Sequence, residues 1–216
     1  MGTTSGRAAG SGRPDVVTPS KPFERFAGSC AIAVGLGTIL YSVAFVIALR
    51  TTSRPAVTAT AVLLLLGGLV STPVSVALYL RLRPAEEGFA LWALLLALVG
   101  AAGSMIHGGF DLARLVGPPT LPTEIANAVD PRGLLTFGVA GVAVFVFASL
   151  IRRGGGLPRG LGVLGMVAGG LLILIYLGRL IIFDPSNPVL LTAAVLGGLV
   201  VNPAWYVWLG MALRRA

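Results

Sequence analysis

The chain has very few of the residues that usually carry catalysis or bind metals. Its 216 residues include one cysteine and one histidine, and only 11% of them are charged. A single cysteine excludes an intramolecular disulfide, and a single histidine excludes a histidine-rich zinc site or a bis-histidine haem. The glycines at 154–156 lack the Gly-Lys-Ser/Thr sequence that would complete a phosphate-binding loop. We therefore predict no metal and no cofactor.

Long hydrophobic runs, in contrast, are abundant. Hydrophobic residues make up 56% of the chain and the mean hydropathy is +0.91, well above the values of soluble domains. A large soluble helical core is the alternative, but runs of this length would leave it no polar faces to solvate. Each run can cross a hydrocarbon core of about 30 Å at about 1.5 Å per residue. We predict an all-α bundle of six transmembrane helices: Ala27–Leu49, Ala56–Leu80, Phe89–Phe110, Gly133–Ile151, Leu161–Phe183 and Val189–Leu213.

The region before the first run has a different composition. Residues 1–22 are rich in glycine, serine, threonine and proline and have too few apolar residues to form a core. We predict a disordered cytoplasmic tail over residues 1–22, followed by one transmembrane domain over residues 23–216.

Basic residues predict the orientation, because they are retained on the cytoplasmic side. Eleven lie on the side of the amino terminus: Arg7, Arg13, Lys21, Arg25, Arg81, Arg83, Arg152, Arg153, Arg159, Arg214 and Arg215. Five lie on the other side: Arg50, Arg54, Arg114, Arg132 and Arg179. We therefore predict that both termini are cytoplasmic.

The net charge of +8 is explained by the basic residues on the predicted cytoplasmic side. On that side, basic residues favour anionic lipid headgroups as partners of the protein. The basic residues are scattered over short loops and form no patch with interleaved aromatic residues, so no nucleic-acid partner is predicted. Arginine outnumbers lysine fifteen to one, and alanine, glycine and proline are abundant, which is typical of a GC-rich bacterial genome. The predicted location is the bacterial plasma (inner) membrane.

A short sequence occurs twice at an interval of 130 residues. Leu-Gly-Gly-Leu-Val at 66–70 precedes Pro73, and the same five residues at 196–200 precede Pro203. Duplication of a two-helix hairpin and chance similarity both explain the pattern. Each proline is expected to kink its helix and to free a backbone carbonyl for a side chain or water.

Polar residues collect on one face of the third helix. At about 100° per residue, Gly100 and Gly103 share this face with Ser104 and with the ionisable residues that follow them. The small residues predict close approach of another helix. The predicted site lies at the outer end of the bundle, with Asn202 below it. Its residues are His107, Asp111, Arg114, Arg179, Asp184 and Asn202.

Two interpretations of this cluster remain open. It is either a ligand-binding site or a network of ion pairs that ties helix ends together, with Arg179 paired to Asp111 or Asp184. His107 and Asp111 could supply two metal ligands, but no third ligand accompanies them in the sequence.

Three short motifs resemble an uncharacterised family of bacterial six-helix integral membrane proteins, known only as a domain of unknown function. They are Glu24-Arg25-x-Ala27-Gly28 at the start of the first helix, Leu157-Pro158-Arg159-x-Leu161-Gly162 at the start of the fifth, and Trp208-Leu209-Gly210-x-x-Leu213 near the end. The resemblance covers most of residues 24–215. It implies the six-helix fold and supplies neither a substrate nor catalytic residues.

Three functions are compatible with these observations. The first is a binding or accessory membrane protein with a protein partner or a second copy of itself, which predicts small-residue stripes and no accessible cavity. The second is a small transporter or carrier of a small or lipophilic solute, which predicts a cavity from the outer site toward Asn202, Pro203 and Pro73. The third is an intramembrane enzyme acting at the outer leaflet, which predicts that His107 and Asp111 converge on an open pocket. The sequence favours a protein that is not an enzyme.

Overall fold

Six apolar helical spans form the structure. The computed structural model describes residues 20–51, 53–117, 128–154, 156–182 and 187–215, and in these ranges all regular structure is helical. Six stretches are long and apolar enough to cross a membrane, as predicted, and indicate a multi-pass membrane protein. Spans 1 to 6 are Lys21–Thr51, Arg54–Leu82, Glu87–Val116, Pro131–Gly154, Arg159–Ile181 and Pro188–Arg215.

Each predicted segment lies within its span, except that span 5 ends at Ile181 instead of Phe183. Span 1 begins at Lys21, two residues before the predicted start of the domain. The rest of the predicted tail, residues 1–19, lies outside the described residues.

The spans pack in chain order around a closed ring, in which span 6 returns to span 1. Most connections are short, which makes consecutive spans antiparallel neighbours. At the end that carries Arg81 and Arg152, here called the basic end, the buried carboxylate of Glu24 accepts a hydrogen bond of 2.7 Å from Arg81. The opposite end carries His107 and Arg179 and is here called the polar end. Which side of a membrane each end faces stays a prediction.

Glycines set the closest approaches between spans. A β-carbon on Gly28 of span 1 would lie 2.8 Å from the carbonyl oxygen of Gly210 in span 6. The face of span 3 that was predicted to accept another helix does so, because β-carbons on Gly100 and Gly103 would overlap Ala140 and Leu135 of span 4. Backbones can approach this closely only where a side chain is absent.

Two spans contain π-helical segments. Span 4 starts with a 3₁₀ turn (Pro131–Gly133) and a π-helix (Leu134–Val139) before its α-helix (Ala140–Gly154). Span 6 has a π-helix (Gly197–Val201) between Pro188–Leu196 and Asn202–Arg215. In a π-helix the bonds run from i to i+5, which changes the direction of the side chains that follow and is frequent at functional sites.

The two copies of the repeated sequence differ in structure. The copy at 66–70 is α-helical, and span 2 continues through Pro73 as one helix. The carbonyl of Leu69, which Pro73 cannot bond, accepts a hydrogen bond of 2.8 Å from the Thr72 hydroxyl, as expected for a carbonyl freed by proline. The copy at 196–200 is mostly π-helical. Duplication of a hairpin stays a prediction.

Candidate functional site

A histidine lies between two carboxylates at the polar end. The Nε2 atom of His107 is 3.7 Å from Oδ2 of Asp111 on the same helix, and its Nδ1 atom is 3.6 Å from Oδ2 of Asp130. Both distances are slightly beyond a direct hydrogen bond. Arg114 extends the cluster, with Nη1 4.0 Å from Oδ1 of Asp111. Here these four residues are called the His107 cluster.

Asp130 fixes the start of span 4. Its side chain is fully buried, and its two oxygens accept hydrogen bonds from the Leu135 N–H at 2.7 Å and from the Thr136 hydroxyl at 2.6 Å. Burial by itself would raise the pKa of the Asp130 carboxyl, but the His107 imidazole, the Thr136 hydroxyl and the Leu135 N–H together lower it below its usual value. The carboxylate is therefore ionised at neutral pH and holds the first π-helical turn in place.

A strained turn connects this carboxylate to span 5. Arg132 has φ of 54°, in the left-handed region that side chains rarely adopt, and Gly133 follows with φ of 80°. In this conformation Nη1 of Arg132 donates a hydrogen bond of 3.1 Å to the carbonyl of Arg179. Strained backbone of this kind persists only where the surroundings hold it, often beside a functional group.

The Arg179 guanidinium itself has an aromatic neighbour. Its carbon lies 5.5 Å from the centre of the Phe137 ring, a cation–π arrangement. In the described part of the chain, no carboxylate oxygen lies within 4.0 Å of Arg179. The pairing of Arg179 with Asp111 that the network interpretation allowed is therefore not formed.

The interior of the ring encloses a cavity of about 610 Å³. Residues from all six spans line it, and most of them are apolar. This volume is in the range of sites that hold a small organic molecule, about 300–1,000 Å³. The polar lining residues include Thr38, Tyr41, Ser42, Ser71, Ser75, Ser104, Thr136, Arg179 and Asn202.

Asn202 contributes a buried polar group to the wall of the cavity. It directly follows the π-helix of span 6, and it is 6% exposed. Its Oδ1 atom is buried and has no hydrogen-bond partner in the described ranges, and the same holds for Nε1 of the neighbouring Trp205. An unpaired buried amide costs about 1–3 kcal/mol. Asn202 is therefore a position where a polar atom of a ligand or a water would be favourable.

The cavity reaches the surface between spans 1 and 2. A β-carbon on either Gly37 or Gly67, both of which line the cavity, would meet no heavy atom within 4 Å. Three leucines beside them also line the cavity and are exposed by 54%, 59% and 46%: Leu36, Leu40 and Leu66. These residues lie in the middle of their spans, so the opening faces the hydrocarbon region of a membrane. Here it is called the lateral opening.

The predicted site residues fall into three groups. Arg179 and Asn202 line the cavity. His107, Asp111 and Arg114 come together in the His107 cluster, and none of them lines the cavity. Asp184 lies outside the described residues.

Sequence reasoning missed Asp130, Tyr41 and Thr136. One signal was present for Asp130, because an aspartate directly before a proline and a hydrophobic run is typical of a helix start. Nothing comparable distinguishes Tyr41 or Thr136 from other residues of apolar helices. Among the described residues no three potential ligands are grouped to hold a metal ion.

Comparisons with protein-family models, with curated proteins and with solved structures found no match for this chain. The structural class, a multi-pass helical membrane protein, therefore follows from the fold alone, and the resemblance to a six-helix bacterial family stays a prediction.

Proposed function

We propose that this protein binds a lipophilic molecule in the cavity between its six spans and acts as a small membrane carrier. The observation that supports the proposal most directly is the cavity of about 610 Å³ with apolar walls. A fully apolar lining would suit a hydrocarbon. Arg179 at one end of the cavity and the buried amide of Asn202, halfway along span 6, suit an amphiphile instead.

The lateral opening gives such a molecule a route from the bilayer. An amphiphile in the membrane would reach the cavity between Gly37 and Gly67 without its chain crossing water. The exposed leucines beside the opening provide the apolar surface that a hydrocarbon chain prefers.

The two other functions have less support. An accessory protein without a ligand predicts no accessible cavity. An enzyme that uses His107 and Asp111 predicts an open pocket at these side chains, but neither of them lines the cavity. A carrier has an accessible cavity and requires no catalytic group, so this function is consistent with the cavity and with the position of His107 and Asp111 outside it.

We also propose that the protein resides in a bacterial plasma membrane with both termini in the cytoplasm. The support is the distribution of basic residues, eleven at one end and five at the other. In this orientation the polar end, with Arg179, faces the outside of the cell.

Binding can be measured through the fluorescence of Trp205, which lines the cavity and is 1% exposed. Replacement of the other two tryptophans, Trp92→Phe and Trp208→Phe, leaves Trp205 as the only indole fluorophore. The protein is reconstituted into phosphatidylcholine vesicles and titrated with bromododecanol, a neutral amphiphile whose terminal bromine quenches tryptophan on contact. We expect saturable quenching.

Filling the cavity should weaken this quenching. Gly37→Leu and Gly67→Leu place a side chain in the open space of the lateral opening, and we expect each to weaken binding by about tenfold or more, since even one methylene group in an apolar site changes affinity by about 10–200-fold. Gly170→Leu is the matched control, because Gly170 also has no heavy atom within reach of a β-carbon and does not line the cavity. Quenching that rises without saturation, equally in all variants, would show partitioning into the bilayer only and would contradict the proposal.

A further inference from the structure

We infer that the ligand of this cavity is a single-chain amphiphile with a carboxylate headgroup, and that Arg179 binds the carboxylate. The inference rests on the proposed function, because it specifies which molecule the cavity takes. It is based on the position of Arg179 in the lining of the cavity and on the charged groups around it.

Arg179 is a charged group that has no acidic partner in the described part of the chain. Arg179 lines a cavity whose walls are mostly apolar, and its guanidinium is more than 4.0 Å from every described carboxylate oxygen. A cation in such surroundings is costly unless an anion or dipoles compensate it. The Phe137 ring at 5.5 Å supplies part of that compensation. The Asp130 carboxylate contributes at longer range, and a ligand anion would add to both.

The described charged groups near Arg179 each have other hydrogen-bond or ion-pair partners. Asp130 accepts hydrogen bonds from Leu135 and Thr136, and Asp111 lies beside His107 and Arg114. Arg132, the nearest other cation, donates to the backbone of Arg179. Among the described residues Arg179 is the only charged residue that lines the cavity, and a ligand with one negative charge would balance it.

This balance favours a carboxylate over a phosphate monoester. A carboxylate carries a single charge and accepts two parallel hydrogen bonds from an arginine, whereas a phosphate monoester carries about −1.5 to −2 charges at neutral pH. Tyr41 also lines the cavity, and its hydroxyl is a further hydrogen-bond donor there.

The rest of the cavity suits a hydrocarbon chain. Arg179 lies near the end of span 5, and the cavity extends from it to Asn202 and Trp205, halfway along span 6, between leucine, valine, alanine and phenylalanine side chains. A carboxylate bound at Arg179 would therefore direct its chain toward the middle of the bundle and toward the lateral opening.

The test compares bromododecanoate with bromododecanol in the Trp205 assay at about pH 9, where a carboxyl group is fully ionised. After correction for partitioning into the vesicles, we expect the carboxylate to bind about tenfold more tightly than the alcohol, as a charge-assisted pair of hydrogen bonds permits. Arg179→Gln should abolish this preference. Arg50→Gln, which removes an exposed arginine at the same end and outside the cavity, should leave the preference intact.

A second test measures competition between ligands for the unmodified protein, so it does not depend on whether a variant folds. Dodecanoate, dodecanol and dodecyl phosphate are each added to displace bound bromododecanol. We expect dodecanoate to be the best competitor. Dodecyl phosphate as the best competitor would overturn the assignment of a carboxylate.

The outcomes separate the two proposals. If bromododecanol quenches saturably and Gly37→Leu weakens it, but dodecanoate competes no better than dodecanol, the headgroup inference is wrong and the proposed function stands. If Gly37→Leu and Gly67→Leu affect neither probe, the cavity is not a binding site and both proposals are wrong.

Discussion

At the scale of single residues, Asp130 connects the histidine of span 3 to the start of span 4. Its oxygens accept the Leu135 N–H and the Thr136 hydroxyl, and His107 lies 3.6 Å away. Thr136 and the neighbouring Phe137 line the cavity. The position of this cavity wall therefore depends on one buried carboxylate outside the cavity.

Replacing this carboxylate should destabilise the protein in a pH-dependent way. We expect Asp130→Asn to lower the free energy of unfolding by about 2 kcal/mol at neutral pH, since hydrogen bonds to a charged group contribute about 1.5–3 kcal/mol. The folded-state pKa of Asp130 is below its usual value of 3.8, so the ionised form stabilises the fold. That contribution is complete above pH 3.8 and is lost as the pH falls through the lowered folded-state pKa. Equilibrium unfolding in detergent should therefore show the two proteins converging below about pH 4.

Asp111→Asn is the control for this experiment. The Asp111 side chain is 30% exposed, and its ion-pair contacts with the described residues are 3.7 Å and 4.0 Å long. Its replacement should change the free energy of unfolding by less than about 1 kcal/mol. A difference between Asp130→Asn and the unmodified protein that stays constant from neutral to acidic pH would contradict the role assigned to the ionised carboxylate.

The residue scale also shows the limit of prediction from sequence. Arg179 and Asn202 were predicted as site residues because a polar side chain in an apolar helix is conspicuous. Tyr41 and Thr136 were not, because neither residue is unusual in a transmembrane helix and only packing brings them to the cavity. The contact between His107 of span 3 and Asp130, which directly precedes span 4, joins residues that are far apart in the sequence, so local periodicity gave no indication of it.

At the scale of helices, glycine determines which faces come together. Gly28 and Gly210 bring spans 1 and 6 into backbone contact and close the ring. In contrast, Gly37 and Gly67 face open space, so the same residue type closes the ring at one place and leaves the lateral opening at another.

A side chain at the closed contact should be costly. A β-carbon on Gly210 would overlap the Gly28 carbonyl and lie 2.6 Å from Ile32. We therefore expect Gly210→Val to lower the free energy of unfolding by about 1–3 kcal/mol through overpacking. Thermal unfolding in detergent measures the effect.

Gly170→Val is the matched substitution in span 5, where a β-carbon meets nothing within 4 Å. It should leave the unfolding temperature nearly unchanged. Equal destabilisation by the two valines would mean that helix propensity, and not the contact between spans 1 and 6, causes the loss.

The π-helical segments are the second feature at this scale. The periodicity of apolar residues predicts that a helix exists, but it does not distinguish i to i+4 from i to i+5 bonding over five or six residues. Pro203 was expected to disturb span 6, and the π-helix Gly197–Val201 lies directly before the α-helical segment that contains it. Span 2 continues through Pro73, where Thr72 satisfies the freed carbonyl. The same sequence signal therefore has two structural outcomes.

At the scale of the whole molecule, the two ends of the bundle differ in their charged residues, and this difference predicts the orientation in the membrane. The polar end contains Arg179 and the His107 cluster, and the basic end contains Arg81 and its partner Glu24. If the basic end is cytoplasmic, as the arginine distribution predicts, the carboxylate of a bound ligand is near the outer headgroups.

Labelling of single cysteines tests this orientation. In a Cys30→Ser background expressed in a bacterial plasma membrane, Ser53→Cys lies between spans 1 and 2 at the polar end, and Ala85→Cys lies between spans 2 and 3 at the basic end. We expect a membrane-impermeant maleimide to label Ser53→Cys in intact cells and to label Ala85→Cys only after permeabilisation. The opposite pattern would show that both termini are outside.

The sequence by itself determined the number, the order and the approximate positions of the six spans. These are properties of continuous apolar stretches, and each stretch satisfies its own backbone hydrogen bonds without help from its neighbours. Only the tertiary structure decided that Arg179 and Asn202 share a cavity while His107 lies apart from it beside Asp130. These positions depend on the distance between neighbouring helices and on the π-helical turns, which rotate the residues that follow them. Contacts between distant parts of the chain set both the helix distances and the π-helical turns.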